Sequence, residues 1–250
     1  MSQYEKLAQI YDYLMLGIDY DEWADYVISI VNKFHGSPGK VKNVVDLACG
    51  TGSSSLSLAK KGFKVTGVDL APHMLEVAQR KSLEEKAEID YIEQDMRKLN
   101  LPEPADMVVV YQDGLNYMTE EEDLKEVFNR VYAQLKEEGM FIFDINSVDK
   151  TSSNHSEVTC YDEDRMTLIW ESFYIMDKEI FEISLTGFLK QRDGYYEKFQ
   201  ETHREKYYPR RLVVNFLEGA GFKVLAVYKA FTFDEGKDWD NSLFYVAQKP

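Results

Sequence analysis

Three carboxylates and two glycines mark the part of this sequence that could do chemistry. Asp46-Leu47-Ala48-Cys49-Gly50-Thr51-Gly52 follows the short β-branched run Asn43 to Leu47 and precedes helical spacing at Leu56 to Ala59. Gly50 and Gly52 remove side chains, so a ligand can approach the backbone, and a helix opening after them offers free N–H groups. Asp69 ends the next apolar run, at a place where an acid can accept ribose hydroxyls. Asp95 ends the third run, with Met96 beside it, where an adenine ring would lie. Each feature alone reads equally as a solvated loop acid or a plain Gly-rich turn. Three acids ending three successive strands beside one glycine loop point instead to a nucleoside-bearing ligand.

The loop also bears on which nucleoside. A dinucleotide site wants a third glycine and a pyrophosphate on the helix N-terminus. Here Ser55 stands in the third position, and Asp46 sits at the loop entrance, a poor neighbour for a pyrophosphate. A carboxylate there suits a positive group such as an α-ammonium. That combination favours S-adenosylmethionine, which carries a sulfonium, an ammonium and a ribose but no phosphate.

The elements that would position these residues follow from periodicity. Strands are expected at Asn43–Leu47, Phe63–Val68, Ile89–Ile92, Asp106–Val110 and Met140–Ile145. Helices between them include one opening at Pro72 and one from a capping box at Thr119–Glu122 to about Glu137, stopped by Gly139. Strands alternating with helices demand parallel pairing and right-handed crossovers. From about Glu157 to Tyr208 the pattern changes to strands without helices: Arg165–Met176, Glu179–Lys190 and Tyr195–Tyr208, with Asp193-Gly194 as a hairpin turn. A helix from Pro209 to Gly219 and two strands, Phe222–Tyr228 and Ser242–Gln248, close the chain as an antiparallel pair. Ahead of the sheet, Tyr4, Leu7, Ala8, Tyr11 and Leu14 fall at helical spacing, and Asp21 to Phe34 reads as a second helix.

Composition bounds the rest. The 250 residues are 44% hydrophobic and 29% charged, a folded globular chain. Acids outnumber bases 44 to 29, for a net charge of −15, which disfavours open-surface binding of nucleic acid or anionic lipid. Two cysteines make neither a disulfide framework nor a four-thiolate zinc site, and no metal site is expected. With no signal-like start and no long apolar run, a cytoplasmic protein is expected.

The motifs Asp46–Gly52, Gly67-Val68-Asp69 with Met74-Leu75, and Gln94-Asp95-Met96 resemble the first three motifs of class I S-adenosylmethionine-dependent methyltransferases. The resemblance covers about 42–146 and 212–248. It implies an α/β fold: a doubly wound, seven-stranded, mostly parallel sheet of order 3-2-1-4-5-7-6 with the last strand antiparallel, here carrying an antiparallel β insert after strand five. It implies a methyltransferase domain over 39–150 and 209–250, a helical lid over 1–38 like that of the small-molecule branch, and a β cap over 151–208.

By the same resemblance the loop Asp46, Ala48, Gly50, Thr51 and Gly52 would pass under the methionine moiety, with Asp46 ordering its amino-acid end. Asp69 would hold the ribose hydroxyls. Leu70, Met74, Asp95 and Met96 would surround the adenine, and Tyr11 and Gln112 would complete the cofactor site. The segment Tyr111 to Tyr117 departs from the D/N-P-P-Y pattern of enzymes that methylate nucleic acid bases or protein glutamine. Asp113 and Tyr117 are candidates to orient the acceptor. Asp113, His155 and His203 are candidates for a general base, needed only if the acceptor rests protonated. Cys49 reads as a small packing residue. The expected partner is a small-molecule methyl acceptor, to be methylated at N or O by a monomer or homodimer. A nucleotide-dependent oxidoreductase, a non-catalytic S-adenosylmethionine-binding protein, and an RNA or protein methyltransferase remain alternatives.

Overall fold

The computed structural model describes residues 4–36, 38–146 and 156–250. Its main sheet has seven strands: β1 (Asn43–Leu47), β2 (Lys64–Asp69), β3 (Ile89–Glu93), β4 (Ala105–Val110), β5 (Leu135–Asn146), β10 (Lys223–Lys229) and β11 (Ser242–Gln248). Their order is β3-β2-β1-β4-β5-β11-β10, which is the expected 3-2-1-4-5-7-6. β1 pairs in parallel with both β2 and β4, and β11 runs antiparallel to β5 and to β10. Chain order therefore reverses at β1 and β4, and the crevice outside their carboxyl ends is where such sheets take ligands.

Burial on both faces explains the strand composition. Along β5, Phe141, Phe143 and Ile145 enter one core with Phe128, Val131 and Leu217, while Met140 and Ile142 enter the other with Val27, Ile30 and Leu58. A strand buried on both sides reads as a continuous apolar run rather than an alternating one. The helices that supply these cores are α2 (Tyr20–His35), α3 (Ser53–Lys60), α5 (Glu121–Gln134) and α6 (Arg210–Gly219), while α4 (Pro72–Glu85) covers β2 and β3. α2 is well delimited: Asp19 accepts from the Asp21 and Glu22 amides, and Gly36 ends it in a left-handed turn at φ 71°.

Two expectations about α5 are corrected. Its N-cap is Glu120, with no side-chain cap bond, and Glu122 pairs instead with Lys125 at 2.8 Å. The helix ends at Gln134, because Leu135 is buried and already pairs with Ala105 at the start of β5.

A second sheet is antiparallel, in the order β6 (Ser156–Glu163), β7 (Met166–Ile175), β8 (Ile180–Lys190), β9 (Tyr196–Lys206). Lys190 faces Tyr196 across the Asp193-Gly194 turn, as the hairpin signal required. Leu168, Ile183, Leu185 and Phe199 form its core together with Leu7.

The N-terminal segment is not the continuous helix its spacing suggests. It is a 3₁₀ turn, Leu7–Gln9, and a single helical turn, α1 (Tyr11–Leu14), ahead of α2. Leu7 enters the core of the second sheet, while its neighbour Ala8 packs on Ala71 and Met74 of the main domain fold. A straight helix presents one apolar face, whereas this segment must serve two walls.

Candidate active site between the two sheets

A cavity of about 590 Å³ lies where the strand ends of the main sheet, the N-terminal segment and the second sheet meet. That volume suits one drug-sized ligand or a cofactor with a small acceptor.

The floor is the loop after β1. Ala48 and Gly50 have φ of 61° and 54°, and the Cys49 amide bonds the Val68 carbonyl, so the loop folds tightly against the end of β2. Asp69 locks it. Its Oδ2 accepts from the Gly50 amide and its Oδ1 from the Ala71 amide, both at 2.8 Å. Burial raises its pKa above the usual carboxylate value despite these bonds. Ala48, Gly50, Thr51, Asp69, Leu70, Met74, Asp95, Met96, Tyr11 and Gln112 all lie on the cavity wall.

Two members of the predicted cofactor set do not reach that wall. Asp46 is 1% exposed, and its Oδ2 accepts from the Ser54 and Ser55 hydroxyls at 2.6 and 2.5 Å. It fastens the start of α3 to β1, and burial lifts its pKa to about 6. Gly52 serves packing: a Cβ there would lie 2.6 Å from the Tyr91 hydroxyl and 2.8 Å from Ala78 Cβ. Asp95 reaches the wall but is already engaged. Arg97 donates from Nε and Nη2 to its carboxylate and holds it below the usual range, and the same guanidinium reaches Asp123 at 3.0 Å. The Thr51 hydroxyl is likewise turned to Asp12 Oδ1 at 2.5 Å.

The wall after β4 is built from a strained turn. Gln112 and Asp113 both have positive φ, 52° and 53°, a conformation that costs of order 1–3 kcal/mol per non-glycine residue. It is held by the Asp113 amide donating to Asp144 Oδ2 (3.1 Å) and the Asn116 amide donating to the Asp113 carbonyl (2.8 Å). The turn sends the Asp113 carboxyl into the cavity, where it hydrogen-bonds the carboxyl of Glu205 from β9. Burial, then the charge of Glu205, pushes Asp113 well above the usual carboxylate range, and burial raises Glu205 as well. Burial also raises Asp144, to about 8. Among the described residues the Tyr111 hydroxyl, Gln112 Nε2 and Asp144 Oδ1 are buried without a hydrogen-bond partner.

Sequence reasoning missed the part played by β9. Its inward row is Glu197, Phe199, Glu201, His203 and Glu205. Glu197 pairs with Lys6 at 2.8 Å, and Glu201 accepts from the Tyr4 and Leu7 amides. Burial works against the charge of Glu201, yet bonds from His203 and Tyr4 keep it below the usual range. His203 is buried, 3.4 Å from Glu201, with its ring between those of Tyr4 and Tyr117 at 4.8 and 6.1 Å. Tyr117 and His203 both line the cavity, and His155 lies outside the described residues. The signal for β9 was its period-2 pattern, with acids and His203 on one face and Lys198, Thr202 and Arg204 on the other. Cys49 is buried, and burial raises its thiol well above the ordinary value, as suits a packing residue. Among the described residues no group of three or more His, Cys, Asp or Glu is arranged to hold a metal, and no helix is long and apolar enough to cross a membrane.

The site's donor set fits S-adenosylmethionine. Gly50 leaves space above the loop, where a Cβ would meet only Tyr11 at 4.0 Å. Asp69 keeps lone pairs that a ribose diol could use, and Gln112 also lines the cavity with its Nε2 unpartnered among the described residues.

Comparison with known proteins agrees. A model for the "Methyltransferase domain" matches residues 44–139. A relative from Bacillus subtilis (strain 168), named "Putative methyltransferase YqeM", is 35% identical over 248 residues, covering 98% of this chain and 97% of its own. A solved S-adenosylmethionine-dependent methyltransferase from Clostridium acetobutylicum ATCC 824 superposes with a TM-score of 0.83 at 27% identity, over 98% of each chain. CalS10 of Micromonospora echinaspora, an amino pentose methyltransferase solved with its cofactor, shares the fold at a TM-score of 0.74 and 17% identity, over 100% of this chain and 99% of its own. This chain belongs to the class I S-adenosylmethionine-dependent methyltransferases.

Proposed function

We propose that the chain transfers a methyl group to the nitrogen or oxygen of a small-molecule acceptor enclosed between the main sheet and the second sheet. The observation that carries this reading is the cavity whose floor is Gly50 and Asp69 and whose roof is the aromatic and acidic face of β7 to β9. A roof seated on the N-terminal segment leaves room for a metabolite rather than a folded protein or a duplex.

Asp69 would hold the ribose, Leu70, Met74 and Met96 the adenine, and Tyr11, Tyr20 and Gln112 the methionine end. S-adenosylmethionine supplies a methyl on a sulfonium, a carbon open to in-line displacement. The protein's own part is positioning, which is worth several kcal/mol when the reacting atoms sit about 3–3.5 Å apart. The strained turn at 112–113 fixes the Asp113 carboxyl, and Tyr4, Tyr117 and Trp170 exclude water around it. Within this reading, residues 4–35 act as a lid and the second sheet as a substrate cap.

Calorimetric titration with S-adenosylhomocysteine tests the proposal. The wild-type protein is expected to bind. Asp69→Ala should weaken binding about 100-fold, the loss of two hydrogen bonds to a charged group at about 1.5 kcal/mol each. Absence of binding by the wild-type protein would overturn the reading.

A further inference from the structure

The geometry points to a protonated amine as the methyl acceptor, received by the facing carboxyls of Asp113 and Glu205, with Glu205 taking the proton that frees the nitrogen lone pair. This rests on the reading of the cavity as a methyl-transfer site and narrows its substrate class.

The first support is the placement of the pair. Asp113 comes from the turn after β4 and Glu205 from β9, so the two carboxyls close the cavity from opposite walls. Glu205 is 5% exposed. Two carboxyls in contact at such depth share a proton or repel, and a cation between them relieves both.

The second support is independent of the acids. Tyr111, 5% exposed, lines the same cavity, and its buried hydroxyl has no partner among the described residues. A buried orphan hydroxyl two residues before Asp113 marks this wall as one that meets a ligand.

The remaining surroundings choose between acceptor classes. Among the described residues, the cavity is lined by no lysine, and its one arginine, Arg97, is held by Asp95 and Asp123. An anionic acceptor, a phenolate or carboxylate, would meet only like charge. A neutral alcohol would need a base far stronger than a carboxylate. An ammonium needs only a carboxylate raised toward its own range. The groups facing the pair are Tyr11, Tyr117, Tyr207 and Asp144, with His203 on the same strand as Glu205. The tyrosine faces add a surface that attracts cations.

The step balances simply. One N–H proton of the ammonium passes to the Glu205 carboxylate. The freed lone pair forms the N–C bond to the methyl as the C–S pair returns to sulfur. The products are an N-methylammonium and a neutral thioether, and the carboxyl proton leaves to water.

The test uses the full-length protein with tritiated S-adenosylmethionine and a deproteinised Bacillus subtilis extract as the acceptor source. Labelled product is expected to bind a cation exchanger at pH 3 and to survive alkaline hydrolysis. A base-labile methyl ester or a neutral methyl ether as the main product overturns the inference while leaving the methyltransferase reading intact. No labelled product at all, with S-adenosylhomocysteine bound, overturns both. With the purified acceptor, Glu205→Gln is expected to lower kcat/KM about 100-fold and to move the acidic limb of its pH profile down by at least one unit, since Asp113 then titrates without a charged neighbour. Its affinity for S-adenosylhomocysteine should stay within twofold of wild type, which separates loss of the proton acceptor from a damaged fold. A variant within threefold of wild type with an unmoved limb would show that Glu205 takes no proton.

Discussion

Asp144 is buried; it accepts the Asp113 amide with one oxygen and leaves the other without a partner among the described residues. Its pKa, raised by burial from 3.8 to about 8, has a consequence for stability. An acid that binds its proton more tightly when folded stabilises the fold fully below its unfolded pKa and loses that contribution as pH rises toward the folded value. Asp46, raised to about 6 by burial, acts in the same direction. Urea unfolding of the unliganded protein should therefore show stability falling between pH 5 and 8, by at most about 4 kcal/mol for one group at 1.36 kcal/mol per unit. Asp144→Asn, which keeps an oxygen for the Asp113 amide, should make that slope measurably shallower, with Asp46, Asp113 and Glu205 carrying the remainder. A slope equal in wild type and variant would place the titrating group elsewhere. Asp46 also shows how far a residue can be read from sequence. Its position at the loop entrance was legible. Its engagement by Ser54 and Ser55 was not, because both serines look like ordinary helix-opening residues until α3 turns them back onto β1.

At the level of elements, Asn116 ties three pieces of chain together. It is fully buried, and its amide nitrogen donates to the Asn146 carbonyl at 3.1 Å and the Lys206 carbonyl at 2.8 Å, while its oxygen accepts from the Asn146 amide. These bonds fasten the ends of β5 and β9 to the turn after β4, which is why Glu205 stands opposite Asp113. Asn116→Ala should cost about 2–4 kcal/mol, three hydrogen bonds lost with buried partners left behind, measurable as a lower urea midpoint. Methyl transfer should fall further than cofactor affinity. A second fastening lies across the floor. Asp12 takes both oxygens to Lys81 at 2.9 Å and also receives the Thr51 hydroxyl. Asp12→Asn is expected to weaken S-adenosylhomocysteine binding about three- to tenfold and to expose residues 4–15 to protease. Unchanged affinity and unchanged digestion would deny the segment a part in closure.

Most strands of the main sheet were legible as apolar runs ending near Gly, Pro or Asp, while β3, Ile-Asp-Tyr-Ile-Glu, was legible mainly from its place before Asp95. The break in the N-terminal segment was not, because Leu7 and Ala8 are adjacent in a helical pattern yet pack on different sheets. Such a division depends on where distant elements lie, and local periodicity does not carry it. β9 was placed as a strand, but its inward acids look like any solvated face until Tyr4, Lys6 and Asp113 are brought onto them.

Across the whole molecule, the site has no wall of its own. The main sheet gives the floor, the second sheet the roof, and residues 4–20 join them through Glu197 and Glu201 on one side and Lys81 on the other. The net charge of −15 agrees with a ligand that brings a sulfonium and an ammonium. A ligand bound at such a junction should stabilise all three parts at once. S-adenosylhomocysteine at 100 times its dissociation constant contributes about 2.7 kcal/mol. At about 2–4 °C per kcal/mol for a chain of this size, the melting midpoint should rise by about 5–10 °C. Calorimetry should show this as one transition moving intact, with NAD at the same concentration moving nothing. The joint between the sheets is what the experiment reads. If the second sheet melted separately, the scan would split, and S-adenosylhomocysteine would shift only the transition that contains Gly50 and Asp69. A single shifted transition would show that floor and roof unfold together, as expected of parts joined by the bonds of Glu201, Asp12 and Asn116.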